Sequence, residues 1–419
     1  MHPNALLELA TELLHRVMQF DSPADNVVSD FFRQNRGLGM RERHTLAETT
    51  YTVLRQRLLF QHLAQSGKGE MERRLVLLGW QGNAAFLRAA LQEHEVLWLE
   101  QVGAVDRTTL PEKLRHNLPE WLADRLQAEV GDEFWPLVEA LNGSAPLDLR
   151  VNTFKAKRET VQAEFTAANI EAVPTPFSPW GLRIQGKPAL HKLEVFLRGD
   201  VEVQDEGSQL LALMTDAKRG EMVVDFCAGA GGKTLALGAA MRNTGRLYAF
   251  DTSGHRLASL KPRLARSGLS NVHPVQIAHE RDDRIKRLAG KIDRVLVDSP
   301  CSGLGTLRRN PDLKWRQSPQ SVEELKVKQA AILASASRLV KPGGRLVYAT
   351  CSLLQGENEE IAEAFSSERV RDFKPLAAHD VLSSAHVAQA DTLVRGPYLR
   401  LWPHRHGTDG FFAAVWQRA

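Results

Sequence analysis

The chain has 419 residues, 43% of them apolar, enough for two or three domains with real cores. Lys and Arg exceed Asp and Glu by four (54 minus 50), a mild excess that is compatible with a polyanionic partner and does not require one. With no secretory apolar region at the start and no long uncharged apolar run, the expectation is a soluble, cytoplasmic protein without membrane partners, and three cysteines lacking C-x-x-C spacing exclude a disulfide framework or structural zinc site and read as reduced thiols.

In chain order, Asn4 to Phe20 carries apolar residues at helical spacing and is followed by the breaker Asp21-Ser-Pro23. Similar patterns recur from Arg41 to Leu63, Met71 to Leu78, Ala84 to Leu91 and Glu120 to Leu141, so residues 1–143 are expected to form a helical domain. Within it Arg41, Arg43, Arg55 and Arg57 surround an apolar seam of Leu46, Tyr51, Val53, Leu54 and Leu58. That cluster is either a solvated helix face or an RNA contact. Residues 144–199 change pattern. A strand at Pro146 to Asn152, a helix from Arg158 to Ala168 and strand material at Val173 and Leu182 to Ile184 predict a small α+β module, RNA-binding or bridging.

From Asp216 onward strands and helices alternate as a parallel, doubly wound sheet requires. Strands are expected at 222–226, 246–251, 272–277, 293–298 and 345–349, and helices at 234–241, 255–266, 321–339 and 358–365. The end differs: Tyr398 to Trp402 and Phe411 to Trp416 flank Pro403 to Gly410 and read as an antiparallel pair. The sheets of S-adenosylmethionine methyltransferases of the Rossmann-like class finish in this way. The expected fold is therefore α/β, a Rossmann-like domain over 200–419 preceded by the module and the helical domain.

The stretch M-V-V-D-F-C-A-G-A-G-G-K-T (222–234) reads as strand, glycine turn and helix start, an arrangement that lets backbone N–H groups approach a ligand closely. A phosphate-binding P-loop would need glycine at Cys227, and a dinucleotide fingerprint starting at Gly229 would need glycine at Thr234, so both fail by one residue. Asp251 closes the next strand about 20 residues later, where doubly wound folds place a carboxylate on a ribose hydroxyl pair. A ribose ligand without pyrophosphate fits, and S-adenosylmethionine is one.

Two later strands each run into a thiol. Arg294 to Val297 leads into Asp298-Ser-Pro-Cys301, and Arg345 to Ala349 leads into Thr350-Cys351-Ser352. Cys227 reads as a small buried hydrophobe, whereas Cys301 and Cys351 lie just past their apolar runs in polar turns. A thiolate beside a methyl donor suggests covalent activation of an unreactive carbon, such as cytosine C5 after attack at C6. Asp298 is the nearest acid for the N3 contact, which it can donate to only when protonated.

D-S-P-C-S-G-L-G-T-L-R-R-N-P-D-L-K-W (298–315) with A-T-C-S-L-L-Q-G-E-N-E-E (349–360) closely resembles the Sun/Nop family of RNA cytosine-C5 methyltransferases. The resemblance spans about 145–419 and includes Val201 to Glu206 and Asp409 to Phe412, while the first third is loosely similar to the NusB-like domain of the bacterial ribosomal-RNA members. It implies Cys351 as nucleophile, Cys301 as the thiol that assists product release, and Asp298 as the acid at the active-site strand. It also implies Asp251 on the ribose, and Cys227, Ala228, Gly229, Ala230, Gly231, Gly232 and Lys233 as the cofactor loop, where the family usually has C-A-A-P-G-G-K. After the third strand the family usually has Gly-Asp on the adenine; here His279 falls nearest, followed by Glu280, Arg281, Asp282 and Asp283.

Arg308, Arg309 and Lys314, with Trp315, suit a single-stranded RNA whose target base is splayed from its stack; the alternative is a solvated loop with a core tryptophan. His404 and His406 lack further ligands at suitable spacing, so no metal is expected. The expected partner is RNA, ribosomal RNA favoured, acted on by a monomer. A transfer-RNA cytosine methyltransferase, a non-catalytic RNA-binding or ribosome-assembly factor, and a thiol hydrolase with a histidine base brought in by folding stay open as alternatives.

Overall fold

The structure is a computed structural model and describes residues 1–186 and 188–419. It divides into two compact units, Met1–Ser144 with Thr306–Pro319, and Ala145–Gly305 with Gln320–Ala419.

The first unit is helical. In the helix Pro3–Val17 the periodic residues Leu6, Leu7, Ala10, Leu13, Leu14 and Val17 are all buried, the apolar stripe expected of a helix packed on a core. Its partners include Met40–Arg55 and Met71–Gly79, and Arg57–Ala64 packs in turn on Met71–Gly79. The pattern from Arg41 to Leu63 is thus two helices, separated where Gln56 leaves helical geometry at φ −114°, ψ 28°. The pattern from Glu120 to Leu141 is likewise divided by Gly131, at φ +54°. Helices Ala24–Gln34, Glu93–Gly103 and Glu112–His116 have no counterpart in the sequence reading. In the second of these Glu95 is buried, and Arg73 donates to both its oxygens at 2.6 and 3.0 Å, which compensates the burial of the charge. The segment 306–319 belongs to this unit through Trp315, which packs on the helical core and donates its indole N–H to the Leu54 carbonyl at 2.9 Å.

In the second unit, β1 (Leu147–Val151), β2 (Ala172–Pro174), β3 (Gly181–Ile184) and β4 (Val201–Val203) form an antiparallel sheet in the order β2-β3-β1-β4. The helix Arg158–Ala167 covers it through Val161 and Phe165. The sequence reading placed residues 201–203 with the methyltransferase domain; in the structure they complete this smaller sheet, with Val201 opposite Val151 and Val203 opposite Leu149.

The larger sheet has nine strands: β5 (Met222–Asp225), β6 (Arg246–Asp251), β7 (Val272–Gln276), β8 (Ile292–Asp298), β9 (Val340–Thr350), β10 (Phe373–Leu376), β11 (Val394–Arg395), β12 (Tyr398–Leu401) and β13 (Phe411–Arg418). Its order is β11-β12-β13-β9-β8-β5-β6-β7, with β10 on the far part of β13. β7, β6, β5, β8 and β9 are mutually parallel, whereas β13 runs antiparallel to both β9 and β12. The expected closing pair is present. Both faces of the parallel strands are covered, so Val223, Val224, Val295, Leu296, Val297, Leu346 and Val347 are fully buried without alternation. Strand order reverses between β5 and β8, and in open parallel sheets the crevice at the carboxyl ends of such a pair is where ligands bind. Among the described residues no helix is long and apolar enough to cross a membrane.

Candidate active site

The glycine turn leaves β5 at this reversal. The buried Asp225 accepts from the Thr234 hydroxyl at 2.6 Å, tying the end of the strand to the first turn of the helix Gly232–Ala240. Burial raises the Asp225 carboxyl to about 7, and its second oxygen has no hydrogen-bond partner. Gly231 sits at φ +82°, and a Cβ there would collide with Leu260 Cδ1, so both conformation and space demand glycine. The Ala230 carbonyl is held by Arg263 at 2.7 Å, and Arg263 in turn bonds Glu202 on β4 at 3.1 Å.

Asp251, at the end of β6 and 6% exposed, accepts the Gly229 N–H at 2.8 Å on one oxygen and the Ser253 N–H at 2.7 Å on the other. Each oxygen keeps a further lone pair for a ligand hydroxyl. At the end of β8 Asp298 accepts from Lys233 Nζ at 2.7 Å. Burial lowers the Lys233 pKa, but the charge and hydrogen bond of Asp298, together with Cys351, more than offset it, and the ammonium is held above its ordinary range.

The turns after β8 and β9 bring the two thiols together. Cys301 Sγ and Cys351 Sγ are 3.3 Å apart, and the Cys351 N–H lies 3.3 Å from Cys301 Sγ. Both cysteines are half-buried. The Cys301 thiol is pushed well above its ordinary value by its hydrogen bond with Cys351, by burial, and by the negative charge that Cys351 and Glu357 place beside it. Cys227 packs against the core and is also raised by burial, as an inert thiol would be.

A cavity of about 570 Å³ runs between these groups, lined by Cys227, Asp251, Arg256, Ile277, His279, Glu280, Asp298, Cys301, Lys328, Ile332 and Cys351. The residues present fit S-adenosylmethionine: a glycine turn at 229–231 at the carboxyl end of β5, with Gly229 and Gly231 at positive φ, a carboxylate with further lone pairs for a ribose, and an apolar wall at Ile277 and Ile332. His279 is in the wall, as placed by counting. Of the neighbouring acids Glu280 lines the cavity, whereas Asp282 is occupied by the Ala278 and Arg284 N–H groups and Asp283 by Lys286. Arg256 and Lys328 also line it and carried no motif that sequence reasoning could use. Among the described residues no cluster of side chains suits a metal ion, and His406 is engaged by the Trp402 N–H and the Thr392 carbonyl.

The basic turn after Cys301 is placed differently from a solvent-facing RNA contact. Lys314 is 2% exposed, donates to the Arg55 carbonyl at 2.9 Å and to Asn142 Oδ1 at 3.1 Å, and is lowered to about 7 by burial and by the Arg55 charge. Arg308 is buried and Arg309 half-buried. Arg55 donates to the Arg308 carbonyl at 3.1 Å, and Arg57 lies over both Phe20 and Trp315. These contacts give Lys314 and two arginines of the seam, Arg55 and Arg57, a packing role within the helical unit, and Trp315 is the core tryptophan of the alternative reading.

The family model described as 16S rRNA methyltransferase RsmB/F matches residues 212–417, and the RsmF/B-like ferredoxin-like domain matches 118–191. A probable ribosomal RNA small subunit methyltransferase B of Synechocystis sp. is 32% identical over 343 residues, 81% of this chain and 76% of that protein. The crystal structure of PH0851 superposes with a TM-score of 0.82 at 26% identity, covering 99% of both chains. NSun6 from Pyrococcus horikoshii, solved with SFG, has a TM-score of 0.62 at 20% identity over 72% of this chain and 98% of that one, a likeness of fold. With its parallel sheet, glycine cradle and paired thiols, this chain belongs to the RsmB/F family of ribosomal-RNA small-subunit methyltransferases, S-adenosylmethionine-dependent enzymes of Rossmann-like fold.

Proposed function

We propose that this protein methylates C5 of a cytosine in ribosomal RNA through a covalent bond between Cys351 and C6 of the base. The observation that carries the reading is the pair of thiols 3.3 Å apart, lining the same cavity as Asp251 and Asp298. Bound S-adenosylmethionine supplies the methyl group. Cys351 Sγ attacks C6 and makes C5 electron-rich. Asp298, which holds the Lys233 ammonium at 2.7 Å, is the acid that contacts N3. Once C5 carries the methyl group, water takes the H5 proton, the C5–H electron pair re-forms the C5=C6 bond and the Cys351 Sγ–C6 bond breaks to return the Cys351 thiolate. Cys301, held as a thiol, assists that release. A hydrolase would need an imidazole on a thiol, but His279 Nδ1 is engaged by the Arg281 N–H.

The test separates the thiols. Cys351→Ala should abolish methylation and form no covalent RNA adduct. Cys301→Ala should allow attack and methyl transfer but stall before elimination, accumulating a denaturant-resistant, nuclease-sensitive band of reduced gel mobility. An adduct with Cys351→Ala and none with Cys301→Ala reverses the roles; full activity in both variants ends the thiol mechanism.

A further inference from the structure

Glu357 lies six residues after Cys351, within the stretch 349–360 but with no role assigned to it above, and is fully buried. Its carboxylate receives four donors. Oε1 accepts the Ser302 N–H at 2.8 Å and Gln329 Nε2 at 2.9 Å; Oε2 accepts the Ser302 hydroxyl at 2.5 Å and the Ser352 hydroxyl. Ser302 follows Cys301 and Ser352 follows Cys351, and their hydroxyl oxygens are 3.2 Å apart. The same Gln329 amide also donates to the carbonyl of Pro300, just before Cys301, at 3.0 Å. The Glu357 backbone is fixed in turn by the Tyr348 hydroxyl on its carbonyl at 2.6 Å. One buried carboxylate thus joins two turns that are 50 residues apart in sequence.

We propose that Glu357 is the positioning residue of the two-thiol site: by holding the serine behind each cysteine, it sets the Cys301 and Cys351 sulfurs in register with one another. This deepens the reading above and rests on it. The network reaches both turns from the side away from the cavity, since Ser302 and Ser352 are wholly buried and neither lines it. Glu357 therefore acts through the cysteines. Its charge also helps keep Cys301 in the thiol form.

Glu357→Gln keeps the volume but turns an amide donor toward groups that are donors themselves. With the cofactor site untouched, kcat should fall by about 10²-fold, the loss expected when reacting groups are misplaced by about an ångström, with KM for S-adenosylmethionine within about twofold of the parent. Peptide-resolved iodoacetamide labelling across pH should show Cys301 reacting about one pH unit lower, because the like charge beside it is gone. Ser302→Ala keeps the charge and removes one arm; it should lower kcat by about tenfold with the labelling profile of Cys301 in place. Glu357→Asp, too short to reach both serines, should not restore kcat. Unchanged kcat in a folded Glu357→Gln enzyme overturns the proposal, as does a loss of kcat matched by an equal loss of cofactor affinity. Should Glu357→Gln not fold, parental kcat in Ser302→Ala overturns it and a tenfold fall at constant KM sustains it. Labelling needs no RNA, so a failure of the cytosine chemistry itself would show as Cys351→Ala retaining activity, a different result.

Discussion

Asp251→Ala removes a carboxylate whose two oxygens each hold one backbone N–H, from Gly229 at 2.8 Å and from Ser253 at 2.7 Å. The lone pair left on each oxygen is what a ribose hydroxyl pair would use. Hydrogen bonds to a charged group contribute about 1.5–3 kcal/mol each, so two lost bonds amount to about 3–6 kcal/mol, or about 10²- to 10⁴-fold weaker cofactor binding. Freeing the Gly229 N–H loosens the cradle as well and works in the same direction. Calorimetric titration with S-adenosylmethionine measures the loss, and thermal unfolding without cofactor measures how much of it comes from the turn itself. Asp251→Asn, which keeps one acceptor oxygen, should lie between the parent and the alanine variant. An affinity unchanged in Asp251→Ala would remove this residue from the cofactor site and with it the reading of the β6 end as the ribose subsite.

Two buried groups predict opposite pH dependences. Asp225 rises from about 3.9 unfolded to about 7 folded, so the folded state binds the extra proton: this stability is complete below about pH 4 and is lost as pH rises through 7. Asp225→Asn, which keeps an oxygen for Thr234, should raise Tm at pH 8 by about 5 °C and remove that slope; a parental slope from pH 4 to 8 contradicts it. Lys314 falls from about 10.4 unfolded to about 7, so the unfolded state binds the extra proton and stability rises with pH from about 7 to about 10. Lys314→Met should flatten the dependence of Tm on pH over that window, whatever its offset from losing the bonds to Arg55 and Asn142; an unaltered rise would show that another group titrates there.

The alternation of strands and helices from residue 222 onward, the glycine turn, Asp251 at the end of β6 and the two thiols past β8 and β9 were legible in the sequence. Each is local: a buried parallel strand is a short apolar run, a close backbone approach requires glycine, and a thiol just past a strand lies at the sheet's carboxyl edge. Helices at 24–34, 93–103 and 112–116 were not legible because their apolar faces are narrow, with only Ala24, Val28 and Phe31 buried among the side chains of the first. Residues 201–203 were grouped with the methyltransferase domain because three residues carry no mark of their partner; pairing with β1 is decided by register. Only the tertiary structure could show that Lys314 is enclosed by Arg55 and Asn142, since a basic residue beside a tryptophan reads identically whether it faces RNA or a core. For the same reason Glu357, though inside the stretch 349–360, carried no role in the sequence reading. Its neighbours in sequence are ordinary helix-start residues, and its role exists only where folding brings Ser302 within hydrogen-bond distance of the Ser352 turn. Sequence by itself determined which chemical groups lie at the strand ends; the distances among them, and which charges are spent on the protein and not on a ligand, are set by contacts between residues far apart in the chain.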